Sequence, residues 1–563
     1  MKERIWHKSY APGVSKYIEI EEFTMPQLLT RAAKKFPNRT AFQFMGWEIT
    51  FAAMEKLVNQ FANALVDIGV KAGDRVALLM PNIPQMAIAY YGTWRMGGVP
   101  VPNNPLYTDR ELEYQLNDSG STVIVTLDLL APRMLALKSK TAIKTVISAH
   151  INDYLPFLKK RLFPILKKEM YFKYEKATDY YQFTDLMKGA SSKFTGPPPD
   201  WNSLASIFYT GGTTGVSKGV VLPHKSVSSM TQIFKAYFFD SGDEEPEKML
   251  AIYPFFHVAG FTGVMNLSVL NAWTVILIPR PEPRAVLDMM VKYKPTLIGA
   301  VPTIYIGLLN LPDFKKHDFS FVKVFLTGAA PMAQETVREL EEATGRDTKK
   351  GTTIVEAYGM TEFAIASITP WKGKLKLGSV GCPLPNTDVK IVDIENGEKE
   401  MPIGKEGEII CRGPQICSGY YNMSEETKNS IRDGWVYSGD IGKMDEDGYL
   451  YIVDRKKDMI LAGGYNIYPR EIDEVLFEHP KILEACAVGV SDEYRGETVK
   501  AFVVPKQGET ITEEELDAYC RKNLAAYKVP RIYEFTENLP KSAIGKILRR
   551  ELKDLELKKE GKL

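Results

Sequence analysis

Two hydrophobic rhythms alternate along the first four hundred residues. Short runs of aliphatic and β-branched residues, RVALLM (75–80), STVIVTL (121–127) and KTVIS (144–148), read as strands buried on both faces. Between them lie stretches whose apolar residues recur every three or four positions, such as MEKLVNQFANALVDIG (54–69) and YTDRELEYQLNDSG (107–120), which predict helices. TMPQLLTRAAKKFP (24–37) adds Thr24 as a helix N-cap and Pro26 in the first turn. The rhythm resumes in KPTLIGAVP (294–302) and VKVFLTGAAP (322–331). Strands alternating with helices predict parallel sheets of an α/β fold.

The texture changes after Gly378. DVKIVDIENGEKEMPIGKEGEIICRGP (388–414) is strand-rich, with Gly turns and no long helix, and predicts a small β subdomain over 378–453. From about Arg455, YPREIDEVLFEHP, ILEACAVGVSDE, ETVKAFVVP and TEEELDAYCRKNL predict a compact α+β unit. The expected organisation is an N-terminal region 1–453, built on two αβ-layered parallel-type sheets plus the β subdomain, followed by an α+β domain 454–563.

Residues 249–279 contain no charged side chain and are numerous enough to span a bilayer. Asn266, Ser268 and Asn271 fall mid-span, with Pro254, His257, Gly260 and Gly263 nearby. Polar groups there are costly in lipid, so a strand–helix–strand unit is the preferred reading. A different stretch, YLPFLKKRLFPILKKEMYFKYEK (154–176), interleaves basic and apolar residues. It reads either as a peripheral contact with an anionic membrane or as a surface insertion packed on its domain.

Composition narrows the class. With 71 Lys and Arg against 70 Asp and Glu, the net charge is +1, so there is no bulk electrostatic case for nucleic acid. Five cysteines without a CxxC pair argue against a disulfide framework or a zinc site. The first residues are polar and lack the apolar core of a signal peptide, and a cytoplasmic location is expected.

The chemistry starts at YTGGTTGVSKGVV (209–221). Its Gly, Ser and Thr residues lie between β-rich runs and would bring backbone N–H groups and hydroxyls up to phosphate oxygens. Lys218 follows Ser217 and precedes Gly219, the wrong context for a P-loop NTPase, whose Lys directly precedes the Mg²⁺-binding hydroxyl. IVEAYGMTEF (354–363) sets Thr361 and Glu362 beyond a strand, where a carboxylate would suit magnesium carried on a nucleotide; a plain surface carboxylate is the alternative. Asp440 sits in a Gly-flanked turn that suits a ribose diol, or merely caps itself. Lys546, in PKSAIGKILRR (540–550), is by itself one more surface lysine.

Taken in order, YTGGTTGVSKGV, YPFFHVAG, LTGAAP, EAYGMTEF, YSGDI, DRKKDMILAGGYNIYPREIDEVL and PKSAIGKILRR resemble the adenylate-forming acyl-CoA synthetase superfamily across essentially the whole chain. IWHKSYAPGV (5–14), the 154–176 insertion and the 433–458 segment look most like long-chain fatty acid–CoA ligases. The resemblance implies ATP, CoA and a medium- to long-chain fatty acid as substrates, with Mg²⁺ accompanying ATP. An aryl- or short hydroxyacid–CoA ligase is the alternative, and a homodimer is left open.

The resemblance also implies roles. Thr210, Gly211, Gly212, Thr213, Thr214, Gly215, Ser217 and Lys218 would hold the ATP phosphates. Gly328, Ala329 and Ala330, with Glu356, Ala357, Tyr358, Gly359 and Met360, would bracket adenine. Asp440, Ile452 and Arg455 would surround ribose. Thr361 and Glu362 would face the α-phosphate, with Glu362 and Thr213 toward the metal. Lys546 would be the lysine of the adenylation step, His257 would face the acyl carboxylate, and Asp454 would be the hinge. Gly463, Gly464 and Tyr465 would line the CoA path. Phe255, Phe256, Val258, Ala259, Gly260 and Gly263 would wall the acyl pocket.

Overall fold

A computed structural model describes residues 3–173, 177–210, 217–237, 246–330, 332–345, 354–371, 373–462, 465–492, 495–542 and 545–559. Two sheets with parallel centres organise the first 380 residues. The larger has nine strands, and its parallel core runs in the order Ile354–Tyr358, Val324–Gly328, Leu297–Ala300, Lys248–Ala251, Thr274–Leu277, Thr40–Phe44. Antiparallel strands close both of its edges. The second sheet is parallel throughout: Val99–Pro102, Arg75–Leu79, Val123–Leu127, Thr145–Ala149, Tyr180–Gln182.

The helix Pro84–Arg95 is apolar nearly all round, as a helix enclosed on every side must be; Tyr90, Tyr91 and Trp94 are fully buried. Its polar tips reach two other segments. Trp94 Nε1 donates to the Ala205 carbonyl at 2.7 Å, Tyr90 OH to the Phe255 carbonyl at 2.8 Å, and Tyr91 OH to Asn266 Oδ1 at 2.8 Å. One helix thereby ties to both the strand Leu204–Thr210 and the uncharged 249–279 stretch.

That stretch is a strand–helix–strand unit. Lys248–Ala251 and Thr274–Leu277 pair in parallel, and the helical segment between them widens to a π-helix over Phe261–Asn266. Among the described residues no helix is long and apolar enough to cross a membrane. The strands Leu204–Thr210 and Lys218–Pro223, on either side of residues 211–216, pair as an antiparallel hairpin.

Beyond Gly378 an antiparallel five-stranded sheet contains Asp388–Val392, Gly407–Arg412, Trp435–Met444 and Leu450–Arg455. A further five-stranded sheet, centred on Ile482–Asp492 and Gly496–Pro505, packs with the helices Pro469–Phe477, Glu513–Asn523 and Arg549–Lys559. All five cysteines are free and buried.

Candidate functional site

The site forms where the parallel strands of the nine-stranded sheet end, the usual place for ligands in α/β sheets. A cavity of ≈ 1750 Å³ opens there between that sheet, the antiparallel sheet and the C-terminal elements. Thr210, Ser217, Lys218, Gly328, Ala329, Ala330, Glu356, Ala357, Tyr358, Gly359, Met360, Thr361, Glu362, Asp440, Ile452, Asp454, Arg455 and Lys546 all line it. Residues separated by more than three hundred positions therefore share one space.

The strand ends are shaped by close backbone approach. A Cβ on Gly359 would stand 1.8 Å from the Ala364 carbonyl oxygen, and Ala329 itself sits in left-handed conformation at φ +66°. Only a bare Cα fits the first of these turns.

Asp440 and Arg455 face each other across the Trp435–Met444/Leu450–Arg455 pairing. Arg455 Nε lies 2.8 Å from Asp440 Oδ1, and Asp440 Oδ2 accepts from Tyr358 OH at 2.8 Å. The Asp440 carboxylate is buried and holds the Arg455 guanidinium above its ordinary pKa. Glu362 is also buried, which raises its pKa; its Oε1 accepts from Tyr420 OH at 2.7 Å.

Lys218 is less free than its loop position implies. Its ammonium is paired with Glu426, on the helix Ser424–Ser430, and lies 5.2 Å from the centre of the Tyr420 ring. Tyr420 and Glu426 were invisible in the local sequence pattern, because no spacing links them to positions two hundred residues earlier.

His257 caps the helical turn Val258–Gly260: its Nδ1 accepts from the Ala259 N–H at 3.3 Å. The ring proton therefore sits on Nε2. Burial, reinforced by the charge of Lys546, pushes His257 down to about 4, so it is a neutral donor at pH 7. Lys546 in turn is lowered to about 8, chiefly by burial and then by Arg455. It stands on a tight hairpin: the Ser542 N–H donates to the Lys546 carbonyl at 2.8 Å, and Gly545 turns at φ +76°. A Cβ on Gly545 would lie 2.3 Å from Thr303 Oγ1, so the hairpin seats directly on the helix Pro302–Leu309 at the cavity rim.

Asp454 accepts the N–H groups of Arg455 (2.7 Å) and Arg470 (2.8 Å), while the Arg470 guanidinium donates to the Ile452 carbonyl at 2.6 Å. Glu356, at the sheet end beneath Arg470 and Glu474, is pushed up to about 7, first by burial; Arg470 opposes the shift and Glu474 adds to it.

The apolar limb of the cavity includes Phe256, His257, Val258, Ala259 and Gly263, then descends past Leu326, Leu297, Val324 and Met249. Phe255 and Gly260 are not among its lining residues. Phe255 is fully buried, with its N–H given to Asn82 Oδ1, and Gly260 packs so closely that a Cβ would meet the Pro254 carbonyl oxygen at 2.2 Å. Gly211, Gly212, Thr213, Thr214, Gly215, Gly463 and Gly464 lie outside the described residues, as does the side chain of Tyr465. Among the described residues, no group of three or more His, Cys, Asp or Glu side chains is arranged to hold a metal ion. The buried Glu362 carboxylate is the kind of single donor that suits a Mg²⁺ carried mainly by phosphate oxygens.

Comparison with known proteins places the whole chain beside AMP-binding enzymes. The AMP-binding enzyme family matches residues 29–421, and the AMP-binding enzyme C-terminal domain matches 471–546. A long-chain-fatty-acid–CoA ligase of Bacillus subtilis is 44% identical over 98% of both chains, and one from Yersinia pestis is 38% identical over 99% of both. Among solved structures, ATP-bound MatB from Rhodopseudomonas palustris superimposes with a TM-score of 0.83 at 30% identity, covering 95% of this chain and 99% of that one.

Proposed function

The chain belongs to the AMP-binding enzyme family, and on that footing we propose that the cavity performs the two half-reactions of a long-chain fatty acid–CoA ligase. The fatty carboxylate attacks the α-phosphorus of ATP, giving acyl-AMP and pyrophosphate. The CoA thiol then attacks the acyl carbonyl, giving acyl-CoA and AMP. The observation that carries this reading is the lodging of Lys546, from the C-terminal hairpin, in the same cavity as Asp440, Arg455 and His257.

Each residue has a physical task. Asp440, held beside Arg455 and Tyr358, accepts the ribose hydroxyls. The strand ends at Gly328–Ala330 and Glu356–Met360, which line the cavity, would bracket adenine. Lys218, pinned by Glu426 and Tyr420, anchors the phosphate loop rather than reaching for the α-phosphate. Glu362, oriented by Tyr420, would hold Mg²⁺ on the nucleotide, and that ion supplies neutralisation of phosphate charge. Thr361 and the Lys546 ammonium oppose the negative charge that builds on the α-phosphate oxygens during attack; such contacts contribute about 2–4 kcal/mol each in a site closed to water. The neutral His257 Nε2–H orients the incoming carboxylate without trapping it in a salt bridge.

Thioester formation has no use for Lys546. The strand Leu450–Arg455 ends one sheet and Ile460–Ala462 begins another, which supports a hinge at Asp454 about which the C-terminal unit rotates between steps. Gly463, Gly464 and Tyr465 would then face the CoA path. The limb from Gly328 to Val324 follows one face of a strand, about 13 Å at 3.3 Å per residue. An aryl or short hydroxyacid leaves this limb unfilled, whereas a medium- to long-chain tail fills it.

The test separates the half-reactions. Lys546→Ala is expected to abolish acyl-AMP formation while thioester formation from supplied acyl-AMP and CoA persists; equal loss of both would falsify the two-step use of the hinge. Acid profiling checks the substrate class, and a preference for benzoate over palmitate refutes the fatty-acid reading.

A further inference from the structure

The helix Phe157–Leu166 is turned inside out. Phe163 alone of its residues is buried (7% exposed), whereas Leu158, Leu166, Phe157, Ile165 and Leu162 stand 72, 69, 65, 65 and 48% exposed. At 3.6 residues per turn, Leu158, Leu162, Ile165 and Leu166 fall within an arc of about 100°. A surface helix ordinarily turns such a stripe to the core. Phe172, just beyond, is also exposed.

The helix is held firmly in this orientation. Tyr154 stacks on Trp47 at 5.1 Å, Lys159 Nζ donates to the Met45 carbonyl at 3.0 Å, and Asn152 donates to the Lys160 carbonyl at 3.0 Å. After the helix, Tyr171 stacks on His150 at 4.6 Å. The outward stripe is thus a fixed face and not a frayed end.

Charge selects what covers it. Residues 154–176 hold seven Lys and Arg against two Glu, while the whole chain carries only +1, so the rest of the protein is net negative. Arg161, Lys167, Lys168 and Lys173 are exposed around the stripe, and the Arg161 guanidinium lies 4.5 Å above the Phe157 ring. We propose that this helix is an interfacial docking face for an anionic lipid bilayer: the apolar stripe enters the acyl boundary and the basic rim meets lipid phosphates. Ten residues span about 15 Å, too short to cross and suited to lying in the interface. A second copy of the chain is a poor occupant, because a two-fold contact would set one basic rim against the other.

Vesicle co-sedimentation of the full chain tests this, with phosphatidylcholine alone and with phosphatidylcholine–phosphatidylglycerol mixtures. Binding is expected to the mixed vesicles, to weaken with salt, and to fall on the order of 100-fold in Arg161→Gln/Lys167→Gln/Lys168→Gln, at about fivefold per basic residue removed. Leu158→Ser/Ile165→Ser/Leu166→Ser is expected to lose binding as well, with ligation of a short, water-soluble acid kept by both variants. No binding, equal binding to neutral and anionic vesicles, or indifference to both variants overturns the proposal. So does a wild-type dimer that the Ser variant converts to monomer without any change in vesicle binding, which assigns the stripe to a second copy.

Discussion

At the scale of single residues, the site depends on groups held away from their ordinary protonation. Lys546 titrates at about 8, so the rate of acyl-AMP formation is expected to fall as pH rises through that value, while thioester formation from supplied acyl-AMP does not follow it. A pH profile of each half-reaction checks this. Glu356 offers a stability counterpart. Its folded pKa is raised to about 7, so the cost of ionising it in place is absent below the ordinary carboxylate range and complete above about 7. Glu356→Gln is therefore expected to raise the melting temperature relative to the parent at pH 8 and to make little difference at pH 4.5, as followed by thermal unfolding. Neither shift was legible in the sequence, because burial and charged neighbours from other elements create both. The candidates themselves were legible: Asp440, Glu362 and Lys546 each stand in a distinctive local run. The partners Tyr420, Glu426 and Arg470 belong to runs that reveal nothing until the chain is folded.

At the scale of elements, hydrophobic rhythm predicted most of what forms. The parallel strands Arg75–Leu79, Val123–Leu127 and Val324–Gly328 lie in the predicted runs, and Thr24 does precede the helix Met25–Lys35. The π-helix at Phe261–Asn266 was not readable, since an extra residue in a turn leaves no mark in so uniformly apolar a stretch. Pocket-wall assignment failed at Phe255 and Gly260 for a related reason: apolar character does not say which side of a buried segment faces a cavity. The strand Val324–Gly328 supports a sharper expectation. Val324 lines the deep end of the apolar limb, so Val324→Trp is expected to lower the rate ratio for palmitate over octanoate at least tenfold while octanoate is still ligated. Competitive acid profiling measures the ratio. The helix Arg549–Lys559 is held in part by two buried ion pairs, Lys500 with Glu556 at 2.7 Å and Arg549 with Asp473 at 2.6 Å, and Asp473 also accepts the Ala487 N–H at 2.7 Å. Arg549→Ala leaves that carboxylate buried without its cation, with an expected cost of about 3–5 kcal/mol in chemical denaturation.

At the scale of the whole molecule, one cavity is lined both by the ends of the nine-stranded sheet and by Lys546 from the C-terminal hairpin, and the proposed function makes that lysine a carried part of the site. Asp454 ties the two parts by accepting N–H groups from both Arg455 and Arg470. Asp454→Ala removes both acceptors, at about 1–3 kcal/mol for each buried N–H left unpaired. It is expected to slow acyl-AMP formation several-fold more than thioester formation, read by assaying the two half-reactions separately. The long interval between the 209–221 loop and Lys546 suggested a second, moving part, whereas the contact of the Gly545 hairpin with Thr303 was hidden in the sequence. That surface has a kinetic consequence. With Gly545 pressed against Thr303, the hairpin occupies the rim of the cavity, and the proposed rotation has to lift it from there before the CoA path can face the same space. Pyrophosphate is then expected to depart before CoA arrives, the two taking turns in one space. Initial-rate plots for ATP at several CoA concentrations should run parallel, the signature of a ping-pong order set by the clearance between one glycine and one threonine.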